Sequence, residues 1–177
     1  MEVSLSEIRP GFFIGPIQAA YLDADLRARG VTHVLNLSGT SYHERDFITY
    51  CCVDLTDTAD GNLRGALPAC LRFIHQALGS AGSGSEGGND GSGCLGGSMN
   101  QRGRGGGVLV HCLAGKSRSA SVCAAWLMVS ECLSAEDAIT AVHAAHPRAD
   151  PNDGFRRVLC RFQGEQEQQK RQKQQQP

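Results

Sequence analysis

The sequence predicts an α/β fold: a central, mostly parallel, twisted sheet flanked by helices on both faces. Two observations support this prediction. Short β-prone runs alternate along the chain with segments of helical periodicity, which is typical of parallel sheets covered by helices. The segment at residues 118–133 has helical length but is mostly apolar, which indicates a central helix packed between other layers.

The elements are predicted in chain order from local signals. Strands are predicted at residues 12–14, 31–37, 48–55 and 108–111. Helices are predicted at 17–29, 67–78 and 118–133, from 134 to just before Pro147, and from Asn152 onward. Gly30 suits a helix C-terminus, and Pro68 suits a first helical turn. Ser134, Glu136 and Asp137 resemble a capping box.

Composition limits the function classes. The chain has 177 residues, 41% of them hydrophobic, and a net charge of −1, which suggests one globular domain without a nucleic-acid partner. The eight cysteines include no Cys-x-x-Cys pair, so neither a zinc site nor any other metal or cofactor is predicted. No targeting segment is seen, and no apolar run could span a membrane. Scattered thiols favour a reducing compartment, so the expected location is the cytoplasm, with the nucleus as the alternative.

Two segments are predicted to lie outside the folded core, which otherwise covers residues 1–162. Residues 79–107 are rich in glycine and serine and cannot bury enough apolar area to offset the entropy of ordering. They are expected to form a flexible surface insertion. Residues 163–177 are rich in glutamine and are expected to form a disordered tail.

The segment that carries chemistry runs from Val108 to Ser119, where a β-prone run ends at Cys112 and a helix follows at Arg118. A tight loop between a strand and a helix N-terminus gathers backbone N–H groups around one small volume, which attracts an oxyanion. The same positive field favours a thiolate over a thiol at Cys112. The alternative is a buried structural cysteine in an ordinary turn.

Residues 111–120 resemble the phosphate-binding loop of the cysteine-dependent protein phosphatases, and the Ser-Arg-Ser ending is similar to the dual-specificity branch. Further resemblance lies at residues 6–15, 30–37 and 151–155, in the family's order. Together these segments resemble a small, atypical dual specificity phosphatase without a docking domain, over residues 5–162. The resemblance implies a cysteine-phosphatase-like fold and a hydrolase of phosphoric monoesters.

The resemblance also implies roles for the loop residues. Cys112 would be the nucleophile that forms a phosphocysteine, and Arg118 would grip two phosphoryl oxygens in a planar fork. Ser119 would hydrogen-bond the departing thiolate; its alternative is a helix N-cap. His111 and Asn152 would support the loop from outside. The phosphate would lie in the loop formed by Leu113, Ala114, Gly115, Lys116 and Ser117.

Three aspartates are candidates for the general acid that protonates the leaving group. Asp54 lies at the end of the strand predicted at residues 48–55, and Asp57 and Asp60 follow that strand. Asp57 stands in the same relation to the following Asn-Leu pair as the family's general acid does, so Asp57 is preferred. Asp60 is the alternative, whereas Asp54 is expected only to organise the end of the strand.

The main functional hypothesis is a protein phosphatase that acts on phosphotyrosine and phosphoserine/threonine in a shallow pocket. A mitogen-activated protein kinase is a family-level candidate for its phosphorylated protein substrate. Lys116 keeps open a phosphoinositide or other non-protein substrate, although a solvated lysine is the simpler interpretation. A non-catalytic phosphate-binding module is a further alternative. Oxidative trapping of Cys112 by a neighbour such as Cys52 is also considered.

Overall fold

The computed structural model describes residues 4–41, 45–79 and 106–174. In these residues there are five strands: β1 (Ser6–Arg9), β2 (Phe12–Pro16), β3 (Val31–Asn36), β4 (Thr49–Cys52) and β5 (Gly107–Cys112). They form one sheet in the order β1-β2-β5-β3-β4. Strands β1 and β2 pair antiparallel, and all other neighbours pair parallel. The predicted α/β class and the mostly parallel sheet are therefore confirmed.

Helices cover both faces of the sheet. A 3₁₀ helix (Ile17–Tyr21) precedes the α-helices, which are α1 (Asp23–Ala28), α2 (Leu63–Gly79), α3 (Arg118–Ser130), α4 (Ala135–Ala145) and α5 (Asp153–Gln174). The predicted helix at 17–29 is thus two shorter helices. Gly30 has φ +68°, as expected for a residue that ends a helix in the left-handed region.

Neighbouring residues of β2 belong to different cores because side chains alternate across a strand. Phe12 lies in the larger core with helices α2 to α5, where its ring meets Trp126 edge to face at 6.4 Å. Phe13 lies in the smaller core with Leu26 of α1. Almost every residue of α3 is buried, as its apolar composition predicted.

Helix α2 begins four residues earlier than predicted, and the placement of Pro68 in a first turn was wrong. The side chain of Asn62 accepts a hydrogen bond from Gly65 N at 3.0 Å and caps the helix before Leu63. Pro68 therefore lies inside the helix. Proline has no N–H to donate to the carbonyl group four residues earlier, which here is that of Arg64. Pro68 is tolerated because both residues are exposed, so water can hydrogen-bond the Arg64 carbonyl instead.

The expectation of a disordered tail at residues 163–177 was wrong for residues 163–174, which continue α5. Straight-chain Gln, Glu, Lys and Arg residues favour helix. Gln163 donates to Glu167 at 2.9 Å, and Arg64 of α2 pairs with Glu165 at 2.5 Å. These contacts hold a helix that composition alone does not reveal.

The predicted insertion is bounded more narrowly than expected. Gly79 is the last residue of α2 and Gly107 is the first of β5, so both belong to regular elements. Of the rest of the predicted insertion, Gly106 is described, whereas residues 80–105 lie outside the described residues. In the described part of the chain, no helix combines the length and apolar character needed to cross a bilayer.

Candidate active site

The candidate site lies where β5, β3 and β4 end, at one edge of the sheet. Cys112 is the last residue of β5, Arg118 is the first residue of α3, and a five-residue loop joins them. Gly115 in this loop has φ +68°. A Cβ there would lie 2.8 Å from Gly15 C and from Pro16 N, so the loop must pass directly against the backbone of β2.

Two backbone hydrogen bonds hold the loop through its carbonyl groups. Ile17 N donates to Leu113 O at 3.2 Å, and Asp150 N donates to Lys116 O at 2.8 Å. In a trans peptide unit the C=O and the following N–H point in opposite directions. Anchoring these carbonyls on the outside therefore turns the N–H groups of Ala114 and Ser117 towards the inside of the loop.

The thiol of Cys112 lies at the floor of this loop, with 1% of the residue exposed. Its Sγ is 3.3 Å from Ser119 Oγ, and either atom can donate. The alternative in which Ser119 caps the helix was wrong, because Ser117 occupies the cap position. Ser119 instead directs its hydroxyl at the sulfur.

The guanidinium of Arg118 is fixed by backbone carbonyl groups from the segments that follow β3 and β4. Its Nη1 donates to Leu37 O at 2.9 Å, to Ser38 O at 3.3 Å and to Leu55 O at 3.4 Å. Its buried Nε has no hydrogen-bond partner among the described residues. A buried donor without a partner is unfavourable, so a ligand oxygen at Nε would be stabilised.

Asn36 was not predicted from the sequence, and it builds the turn that supplies two of these carbonyls. Its Oδ1 accepts from Ser38 N at 2.8 Å and from Ser38 Oγ at 2.7 Å, and its Nδ2 donates to Thr40 O at 2.9 Å. An asparagine at a strand end before Ser-Gly-Thr is a recognisable turn signal. Its link to Arg118 is visible only in the folded chain.

Asp57 is the candidate acid that the structure brings to the loop. Its Oδ1 accepts from Ser117 Oγ at 2.6 Å and from Asn152 Nδ2 at 3.0 Å, and its Oδ2 lies 3.6 Å from Arg118 Nε. The segment that follows Asp57 packs directly against the first turn of α5, because a Cβ at Gly154 would overlap the Ala59 carbonyl.

The other two aspartates are placed differently. Asp60 is fully exposed, and a hydrogen bond from the Thr58 side chain lowers its pKa, which favours the carboxylate form that has no proton to donate. Asp54 is exposed beyond β4 and lies beside the turn at Gly39. For Asp54 the position agrees with the expected organising role rather than with proton transfer.

Several buried groups near the site are held uncharged by burial. Desolvation lowers the pKa of His111 to about 4, and this residue is 0% exposed. Its Nδ1 lies 3.5 Å from Cys112 O. Burial raises the pKa of Cys70 to about 12 and that of Cys123 well above its ordinary value. These two thiols are therefore protonated at neutral pH and are poor nucleophiles.

Lys116 points away from the loop into an ion pair. Its Nζ lies 3.2 Å from Asp150 Oδ2, and its side chain is 58% exposed. This placement favours a solvated lysine over a lysine dedicated to a lipid headgroup. Among the residues that the structure describes, no cluster of three His, Cys, Asp or Glu side chains could hold a metal ion.

Comparisons with known proteins give the family. Residues 99–165 match the model of the dual specificity phosphatase catalytic domain. The chain is 31% identical over 163 residues to mouse dual specificity protein phosphatase 22, covering 92% of this chain and 76% of the mouse protein. The chain belongs to the dual specificity phosphatase family.

Other members of the family are similar to this chain in sequence and in structure. The human phosphatase 22 is 30% identical to this phosphatase over 159 residues, which are 90% of this chain and 73% of the human protein. The crystal structure of human DUSP28 superposes with a TM-score of 0.75 at 26% identity, covering 93% of this chain and 96% of that one. The resemblance seen in the sequence is confirmed, and the chain is a phosphatase hydrolase of the protein-tyrosine/dual-specificity class.

Proposed function

We propose that this phosphatase hydrolyses phosphotyrosine and phosphoserine/threonine in proteins through a phosphocysteine intermediate at Cys112. In the first step the thiolate of Cys112 attacks the phosphorus atom, an S–P bond forms and the bond to the leaving oxygen breaks. The single observation that supports this most is the arrangement around one loop, where Cys112 forms the floor and Arg118 closes the rim. Asp57 reaches the same rim through Ser117.

Arg118 is proposed to bind two oxygens of the phosphoryl group. Its Nη1 is occupied by carbonyl groups, so the fork is held in one orientation before any substrate arrives. The buried Nε, which lacks a hydrogen-bond partner among the described residues, is a donor that a phosphoryl oxygen would satisfy. Pre-oriented donors of this kind stabilise the charge that develops in the transition state.

Asp57 is proposed to give its proton to the leaving oxygen. Because Ser117 and Asn152 both donate to Oδ1, the acid proton is expected on Oδ2, the oxygen that faces Arg118. A general acid in this position typically contributes about 10²–10⁴-fold in rate.

The second step would regenerate the enzyme. Asp57, now a carboxylate, takes a proton from water as that water attacks phosphorus, and the S–P bond breaks. Ser119 Oγ, 3.3 Å from the sulfur, would donate a hydrogen bond to the departing thiolate. His111 is proposed to shape the loop rather than to act as a base, because its ring is buried and neutral.

A protein substrate is favoured over a lipid or RNA phosphate. The relatives are named as protein phosphatases, and the Lys116 cation is paired with Asp150 instead of being free at the loop. Leu113 and Ala114 are exposed within the loop, which suits a shallow site open to side chains of different length. A mitogen-activated protein kinase stays a candidate substrate at the level of the family.

The covalent step is tested by Cys112→Ser, with Cys160→Ser as the matched control on the exposed face of α5. Cys112→Ser is expected to abolish turnover of an aryl phosphate while keeping oxyanion binding, and Cys160→Ser is expected to behave as the wild type. Mass spectrometry of a rapidly quenched reaction would detect the phosphocysteine. Turnover by Cys112→Ser at the wild-type rate would eliminate the covalent mechanism.

The proton donor is tested by comparing Asp57→Ala with Asp60→Ala. Asp57→Ala is expected to slow phosphoserine peptides about 10²-fold or more, because an alkoxide leaves poorly without a proton, and to slow activated aryl phosphates much less. Asp60→Ala is expected to have little effect on either substrate. The opposite result would transfer the acid role to Asp60.

A further inference from the structure

His146 is a buried imidazole behind the phosphate-binding loop. It follows the last residue of α4, where its N–H donates to Val142 O and its carbonyl accepts from Ala149 N, both at 2.8 Å. Only 6% of the residue is exposed. None of the steps proposed above uses this side chain.

The ring of His146 has one strong side-chain partner. Its Nδ1 lies 2.8 Å from Ser6 Oγ of β1, a residue 140 positions away in the sequence. Burial lowers the pKa of His146, so the ring is neutral at neutral pH. If the Ser6 hydroxyl donates to Nδ1, the single ring proton lies on Nε2.

The remaining nitrogen is the unusual atom. Nε2 is buried and makes no well-formed hydrogen bond with any residue that the structure describes. The backbone of Gly115 nevertheless interacts with the ring and raises the pKa of His146 against the larger effect of burial. The ring therefore lies close to the Gly115 carbonyl, although Nε2 makes no well-formed hydrogen bond with it.

The Gly115 carbonyl is informative because of the peptide unit to which it belongs. That unit also contains the N–H of Lys116, which points in the opposite direction. Ile17 and Asp150 already hold the Leu113 and Lys116 carbonyls on the outside of the loop. A donor on the Gly115 carbonyl would hold a third loop carbonyl on the outside and so turn the Lys116 N–H inward.

We propose that His146, oriented by Ser6, is a positioning residue that donates Nε2–H to the Gly115 carbonyl when the loop closes on a phosphoryl group. This bond fixes the Lys116 N–H as a donor to the bound oxyanion. The inference rests on the loop's proposed role in phosphate binding. It makes His146 a determinant of oxyanion affinity that never touches the oxyanion.

The proposal is tested by His146→Phe, which keeps a ring in the core but removes the donor, and by His146→Gln, whose amide N–H can replace Nε2–H. Steady-state kinetics with p-nitrophenyl phosphate give KM and kcat, and tungstate serves as a competitive oxyanion. Removing one charge-assisted donor is expected to raise the inhibition constant of tungstate about tenfold. His146→Phe should show this rise together with a higher KM, and His146→Gln should recover most of the wild-type affinity.

Two further variants separate positioning from general stability. Ser6→Ala is expected to weaken tungstate binding in the same direction but less, because it frees the ring without removing the donor. His143→Phe, on the same helix and bonded to Ala149 O, should leave tungstate binding unchanged. Thermal midpoints are recorded for every variant.

The outcomes are decisive in both directions. Wild-type tungstate affinity in His146→Phe would overturn the proposal. Equal losses of tungstate affinity in His146→Phe and His146→Gln, in proportion to the fall in their thermal midpoints, would also overturn it. If the wild-type protein bound tungstate but hydrolysed no aryl phosphate, the proposed function would fail. The role of His146 would then still be decided by tungstate binding measured through thermal shift.

Discussion

Acid is expected to destabilise this phosphatase partly through His111. The buried ring has a pKa of about 4 in the folded chain, against 6.5 when exposed, because burial disfavours its charged form. Between these values the unfolded chain binds a proton that the folded chain does not. Stability attributable to His111 is therefore fully present above pH 6.5 and is lost as the pH falls towards 4.

The size of the effect follows from the two pKa values. A tenfold difference in proton affinity corresponds to about 1.4 kcal/mol, so the complete loss is about 3 kcal/mol and the loss by pH 5 is about 2 kcal/mol. His33 and His146 also have pKa values lowered by burial, so they add to the acid sensitivity of the wild type. The contribution of His111 is isolated by comparison with His111→Gln.

The assay is urea unfolding at pH 7, 6 and 5 for the wild type and His111→Gln. Whatever the substitution costs at pH 7, the free energy of unfolding of the variant is expected to fall less than that of the wild type by about 2 kcal/mol between pH 7 and pH 5. Parallel curves for the two proteins would refute the reasoning, because the buried ring would then bind a proton without penalty.

Three further outcomes are expected. Gly115→Ala should destabilise the fold by about 1–3 kcal/mol and raise KM, because a Cβ would lie 2.8 Å from the β2 backbone at a positive φ; thermal melting and kinetics measure this. Asn152→Ala, which removes a donor to Asp57, should slow phosphoserine peptides more than aryl phosphates in parallel kinetic assays. Replacing residues 80–105 by a short linker should leave aryl phosphate turnover intact. Leu78 and Gly107, near the two ends of the replaced segment, both lie close to Gly11, so a short linker can join them. A loss of turnover would place the insertion in the site.

The local chemistry of the loop was readable from the sequence because its parts are contiguous. Cys112 ends a β-prone run, Arg118 begins an apolar helix, and the glycine needed for the left-handed turn stands between them. Order along the chain is sufficient to place these groups around one volume. The alternation of strands and helices and the cap at Ser134 were predictable for the same reason, since each depends on neighbouring residues.

Two element ends were predicted wrongly, one because a local cap was overlooked and one because a distant contact decides it. Helix α2 starts early at the Asn62 cap and tolerates Pro68 on a solvent-facing side. Helix α5 continues through the glutamine-rich segment, where Arg64 of another helix pairs with Glu165. Composition measures only average propensity, so it did not reveal the continuation of α5.

By itself the sequence determined the fold class and the contiguous loop between Cys112 and Arg118. It could only rank the aspartates. The tertiary structure decided which aspartate reaches the loop, which carbonyls fix Arg118, and that His146 stands behind Gly115. The physical reason is that the ends of parallel strands meet at one edge of the sheet, so residues far apart in the chain become neighbours there only after the sheet and its helices have packed.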